Sequence, residues 1–177
     1  MPASLQFTYY GNAGTEPSGT NCDNGLSGTT ISWCLADSLS STTPVLIPNP
    51  GPGTNFTWYK LLALKVVSSA ATTLSNRKVS IASAHPTGIL QHYKDQPTYT
   101  QPTSGNKPTD DASNNGAVPS TYTTITTTPA VYDNTSVSAG STGRNGDFCQ
   151  TVLGVDATYS GGTSSAAALQ NLIFTYD

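Results

Sequence analysis

One segment limits the fold more than any other. Over Asn55 to Val67 (NFTWYKLLALKVV), Phe56, Trp58, Leu62, Leu64 and Val66 fall on one side of an extended chain, and Tyr59, Leu61, Ala63 and Val67 on the other. Apolar groups on both faces describe a central strand covered from both sides, or else a short buried helix. The flanking aromatic and β-branched residues, and the lack of a strong capping box, favour the strand.

Composition supports that choice. Ser and Thr supply 49 of the 177 residues, 28 of them Thr, whereas only 10% are charged. An ordinary soluble domain is about 25% charged. Replacing Lys and Glu by Thr, Ser, Gly and Asn disfavours helices and favours strands joined by turns. A hydrophobic content of 36% over this length suffices for one domain with its own core, residues 1–177.

Shorter period-2 patterns complete the picture. Leu5, Phe7 and Tyr9 alternate with polar neighbours near the start, and Leu172, Phe174 and Tyr176 do so near the end. Between them lie Ile31 to Ala36, a short run at Val45 to Ile47, Arg77 to Ala82, Gly88 to Lys94, Tyr122 to Tyr132 and Phe148 to Val155. These predict an all-β, antiparallel β-sandwich, jelly-roll-like, of about eight or nine strands. Two long polar loops, Gly11 to Gly28 and Pro97 to Ser120, separate them. Phe-Thr-Tyr occurs in both end segments, so the terminal strands are expected to share one sheet and close the domain. No repeat with a period of roughly 20 to 50 residues is visible.

Several functional classes are disfavoured. Seven basic residues spread along a chain of net charge −3 give no electrostatic footprint for a nucleic acid. No run of about 18 apolar residues exists, so no membrane-spanning helix is expected. The opening MPASLQFTYY lacks a basic stretch followed by an apolar one, so no ordinary secretory signal is expected and synthesis is assigned to a cytosol. Cys22, Cys34 and Cys149 are odd in number and read as free thiols. A Cys22–Cys34 bridge formed later, in an oxidising medium, stays open.

Candidate chemistry is sparse. His85 and His92 with the three cysteines are the soft metal ligands, and no Cys-x-x-Cys or His-x-x-x-His spacing links them. His85, before Pro86, is expected to shape a turn, and His92 to sit on a strand's polar face. A Cys–His nucleophile pair would have to be assembled by the fold. Asp110, Asp111, Asp133, Asp147 and Asp156 are the candidates for paired glycosidase carboxylates, with Glu16 the single glutamate. Their turn-like surroundings make capping of turns the expected role. Asp110 and Asp111 resemble half a calcium loop, without the rest of that pattern. Two glycosylation-type triplets, at Asn55 and Asn134, are expected to be chance. Tyr9, Tyr10, Trp33, Trp58, Tyr59, Tyr93, Tyr99, Tyr122, Tyr132, Tyr159 and Tyr176 are expected to serve packing and subunit contacts, with a sugar-stacking platform the alternative. No catalytic residue, cofactor or metal site is predicted.

Five phrases together carry a resemblance: the opening strand with its Gly-Asn turn, TNFTWYKLLALKVV at Thr54, Ser75 to Val79, STGRNGDF at Ser141 and NLIFTYD at Asn171. Across nearly the whole chain they resemble tailed-bacteriophage virion structural proteins of the capsid decoration, or cement, type. The likeness is one of strand phrases and holds no catalytic signature. It implies a non-enzymatic structural protein on the outer capsid surface of the virion, made in the host cytoplasm. It also implies the major capsid protein as partner and self-association as a homotrimer. A surface poor in Lys and Glu suits such a role, because ordering and desolvating those side chains at an interface is costly. Expected contact elements are the two polar loops and the terminal strands. The alternatives are a tail or fibre protein contacting host glycans and a carbohydrate-binding β-sandwich module.

Overall fold

Extended backbone dominates wherever Thr, Val, Ile and aromatic residues alternate. The computed structural model describes residues 4–10, 33, 54–68, 73–100, 121–138, 143–144, 146–156, 158–159 and 171–177. Its strands are β1 (Ser4–Tyr10), β2 (Thr54–Phe56), β3 (Lys60–Ser68), β4 (Thr73–Leu74), β5 (Arg77–Ile81) and β6 (Ile89–Gln96), followed by β7 (Thr123–Thr124), β8 (Ala130–Asp133), β9 (Val137–Ser138), β10 (Gly143–Arg144), β11 (Phe148–Asp156) and β12 (Leu172–Thr175). The described residues contain no helix, and so none long and apolar enough to cross a membrane.

Every pairing among these strands is antiparallel. A seven-stranded sheet runs β1-β3-β11-β6-β7, with β10 added to β3 and β2 to β11. A three-stranded sheet runs β12-β5-β8, and β4 and β9 form a ribbon. The chain is therefore the all-β antiparallel sandwich that its sequence predicts. The twelve strands among the described residues exceed the expected about eight or nine because several contain only two or three residues.

The core lies between the two sheets. Leu62 of β3, Tyr93 of β6 and Cys149 of β11 pack on Val79 and Ile81 of β5 and Tyr132 of β8, with Leu172 and Phe174 of β12 alongside. Register sets this contact: Cys149 stands opposite both Leu62 and Asp95, while Leu172 and Phe174 stand opposite Ile81 and Val79. A second cluster, Phe56, Tyr59, Leu61, Ala63, Phe148 and Val152, occupies the other face of the large sheet. The β3 segment is thus a central strand apolar on both sides, and the helical alternative is not adopted.

Two expectations change. The Asn55 to Val67 run is two strands, broken at residues 57–59. The Thr57 amide donates to the Leu153 carbonyl at 2.8 Å, and the Leu153 amide donates to Thr57 Oγ1 at 3.1 Å. This break shifts the phase, so Phe56 joins Tyr59, Leu61 and Ala63 rather than the Leu62 side. The terminal strands also do not share a sheet: β1 pairs with β3 in the large one and β12 with β5 in the small one. Alternation shows that a strand has one buried face, but the covering layer is decided by matching Phe174 and Leu172 to Val79 and Ile81. The expected strands at Ile31 to Ala36 and Val45 to Ile47, Trp33 apart, and the loop from Gly11 to Gly28 lie outside the described residues. So does most of the Pro97 to Ser120 loop.

Candidate functional site

Three places bring chemically capable side chains together. The first joins β5, β8 and the start of β11. Arg77 opens β5 and Asp133 closes β8, paired in register next to an irregularity between Arg77 and Lys78. Both are buried, at 0% and 2% exposure. Arg77 donates to Asp133 Oδ2 through Nε at 3.0 Å and Nη2 at 2.5 Å. Its Nη2 also donates to the Thr135 carbonyl at 2.8 Å and to Thr135 Oγ1 at 2.7 Å. Asp133 Oδ1 accepts from the Thr135 amide at 2.8 Å and hydroxyl at 2.7 Å, and Oδ2 accepts from the Asp147 amide at 2.7 Å. Burial alone would raise the Asp133 pKa, but the donors from Asp147, Thr135 and Arg77 outweigh it and hold the carboxyl below its ordinary range.

Two more carboxyls adjoin this hub. Asp95 of β6 faces Cys149, so Asp147, two residues earlier, is its diagonal neighbour. Partial desolvation, then the charges of Asp147 and Asp133, push the solvent-exposed Asp95 up to about 6, and a hydrogen bond with Asp147 adds to the shift. The hub also needs Gly146. Its φ is +78°, and a Cβ there would overlap the Arg77 guanidinium and Asp133 Oδ2. The structure therefore unites Asp133 and Asp147 from the sequence candidates and adds Asp95, which no turn-like text marked. Asp133 is more than the expected turn cap: its oxygens are engaged by Arg77, Thr135 and Asp147, as befits a structural tie. Among the described residues no group of three His, Cys, Asp or Glu side chains is placed to hold a metal ion.

Asp156 behaves as expected, its Oδ1 accepting from the Thr158 amide at 2.7 Å at the end of β11. Asp110, Asp111, Cys22 and Cys34 lie outside the described residues. Cys149 is fully buried, and burial followed by the Asp95 charge raises its thiol pKa well above the ordinary value. His92 stands opposite Val152, on the sheet face away from Cys149, so these two do not pair. His92 is on a strand, yet it is only 7% exposed rather than on a polar face. Phe56 covers it edge-on, 6.2 Å between ring centres, and burial lowers its pKa.

The second place is a pocket of about 190 Å³ at one end of the sandwich. It lies between the loop leading into β6 and the segment after β7. His85 shapes that loop, and its Nε2 is 3.0 Å from Gln91 Oε1. Burial lowers the His85 pKa, opposed in part by this bond.

The third place is the outer face of the three-stranded sheet. Lys78 of β5 stands opposite Val131, and Ser80 opposite Ile173. Val131 and Ile173 are 45% and 41% exposed.

Of the aromatic residues, Tyr59, Tyr93 and Tyr132 are buried in the core, as expected. Trp33 and Tyr159 pack on a small cluster of Ile89, Leu153 and Val155. Tyr99 meets Phe148 edge-on at 6.2 Å, and Tyr122 receives Gln150 Nε2 at 2.6 Å and the Lys94 ammonium over its ring. No protein-family model matches the chain, and neither a curated protein nor a solved structure matches it.

Proposed function

We propose that the chain is a non-enzymatic structural protein of a phage particle, a decoration or cement protein that binds the outside of the capsid shell and reinforces it. The observation that carries this reading is the outward pair Val131 and Ile173 on the small sheet. Two exposed branched apolar side chains on one sheet face favour burial against another protein. A chain only 10% charged keeps the desolvation cost of such a contact low. The strand phrases that resemble virion proteins support the same reading, and Asp133, sequestered by Arg77, agrees with a structural use of its carboxylate.

The partner in this account is the major capsid protein, and self-association as a homotrimer around a local symmetry axis accompanies it. Stabilisation follows from mass action, because a protein that binds only the assembled shell shifts the equilibrium toward it. Replacing Val131 and Ile173 by Lys should abolish binding to capsids lacking the protein while leaving its own melting temperature nearly unchanged. Binding retained by the double variant would contradict the assignment of this face.

A further inference from the structure

We infer that β12 is an exchangeable strand: the groove it fills along β5 is a binding surface for residues 171–177 of a second copy of the chain. This concerns contacts between copies and stands whether or not they bind a capsid. Burial is the first observation. Residues 171–177 alternate between exposed and half-buried, whereas Val79 and Ile81, opposite Phe174 and Leu172, are 0% and 3% exposed. An edge strand without fully buried side chains opens at lower cost than an interior strand such as β11, whose first eight residues are buried.

The bonds that hold both ends of β12 fall on one short stretch, residues 75–82. At one end the Ala82 amide donates to the Asn171 carbonyl at 3.0 Å, and at the other the Ser75 and Asp177 amides each donate to the other's carbonyl at 2.9 Å. The Asp177 side chain is recognised as well. Asn76, held at φ +46°, donates through Nδ2 to Oδ2 at 3.0 Å, and Lys78 Nζ donates to Oδ1 at 2.7 Å. Phe174 meets Tyr132 edge-on at 6.1 Å. The groove thus selects a strand with apolar residues two apart and a carboxylate three positions further on. The same residues of another copy satisfy it identically, so exchange conserves every contact. Eleven residues, 160–170, join Tyr159 to Asn171. A run of that length reaches at most about 40 Å, comparable to the diameter of a domain of this size. A strand passed from each copy to the next closes a ring, which gives self-association a physical means.

The test mixes two preparations of the full chain, one carrying Ser80→Cys and the other Ile173→Cys, positions that stand opposite each other across β5 and β12. After days of joint incubation and mild oxidation, peptide mass spectrometry is expected to find the two introduced cysteines linked between chains, in an amount that grows with protein concentration. Ser80 is only 2% exposed, so chance collision links this position poorly. The exposed position 128, as Thr128→Cys in place of Ser80→Cys, measures collisional linking. Linking no greater than in that control would overturn the proposal. Because Ser80→Cys lies in the packed sheet, a second measurement uses the unaltered full chain and a fluorescent peptide of residues 171–177. Saturable binding is expected, weakened at least about fivefold when Asn replaces the peptide's Asp. Absence of saturable binding, or equal binding of the two peptides, would overturn the proposal as well. No capsid is present, so these results are separate from the test of shell binding.

Discussion

Arg77 and Asp133 face each other across β5 and β8, joined through Nε at 3.0 Å and Nη2 at 2.5 Å, with both side chains about 1% exposed. Leu74, Thr135 and Asp147 also bond to the pair, so several elements are tied at one point. Removing one partner leaves the other charge buried without compensation. Asp133→Ala or Arg77→Met should each cost about 3–5 kcal/mol. The double variant Arg77→Met with Asp133→Leu should cost much less than the sum of the single changes. Urea unfolding of the three variants and the parent chain measures both statements.

Gly146 is bound to the same hub by geometry rather than charge. At φ +78° a Cβ is strained, and here it would also meet Arg77 and Asp133. Gly146→Ala should therefore destabilise the fold by at least about 1–3 kcal/mol. A loss below about half a kilocalorie in the same unfolding experiment would contradict this placement.

The pH profile should show two opposed limbs. Asp95 is raised to about 6 in the fold, so its protonated form is favoured there. Its contribution is present at low pH and is lost as pH rises through about 6. Asp95→Asn should remove this limb and raise stability near pH 8 by about 1 kcal/mol, allowing for solvent screening of an exposed carboxyl. His92 has the opposite sign. Its pKa is lowered by burial, so its contribution is present above the ordinary histidine range and is lost as pH falls below it. His85, also lowered by burial, contributes to the same limb, so His92→Phe should reduce it without removing it, as read by melting temperature across pH 4 to 9.

Cys149 is fully buried with a raised pKa, so its reactive thiolate is scarce. Native protein should leave the Cys149 peptide unalkylated by iodoacetamide over hours, and unfolding in urea should make it react within minutes. Peptide mass spectrometry of the two samples reads the difference.

Much of the architecture was legible because period-2 alternation maps onto burial. The β5, β6, β11 and β12 segments match their sequence patterns to within a few residues. What alternation does not carry is partner choice. The pattern of Leu172 and Phe174 is the same whichever sheet receives it, and the β12 placement depended on register with Ile81 and Val79. The Thr57 break in the Asn55 to Val67 run was hidden because a threonine reads as a strand residue, while its hydroxyl instead accepts from the Leu153 amide. The carboxyl hub was half legible. Asp133 and Asp147 stood out by their turn-like neighbours, whereas Asp95 lies inside strand text and joins them through pairing with Cys149. Of the outward pair, the alternation of Ile173 marked a strand position, but exposure depends on what the other side of the sheet packs against.

Capsid decoration is tested by mixing the purified full chain with capsids that lack it, then following co-sedimentation and the melting temperature of the shell. Saturable binding with a raised shell melting temperature is expected, both lost in the Val131→Lys, Ile173→Lys variant. Absence of binding, or binding that leaves shell melting unchanged, would contradict it.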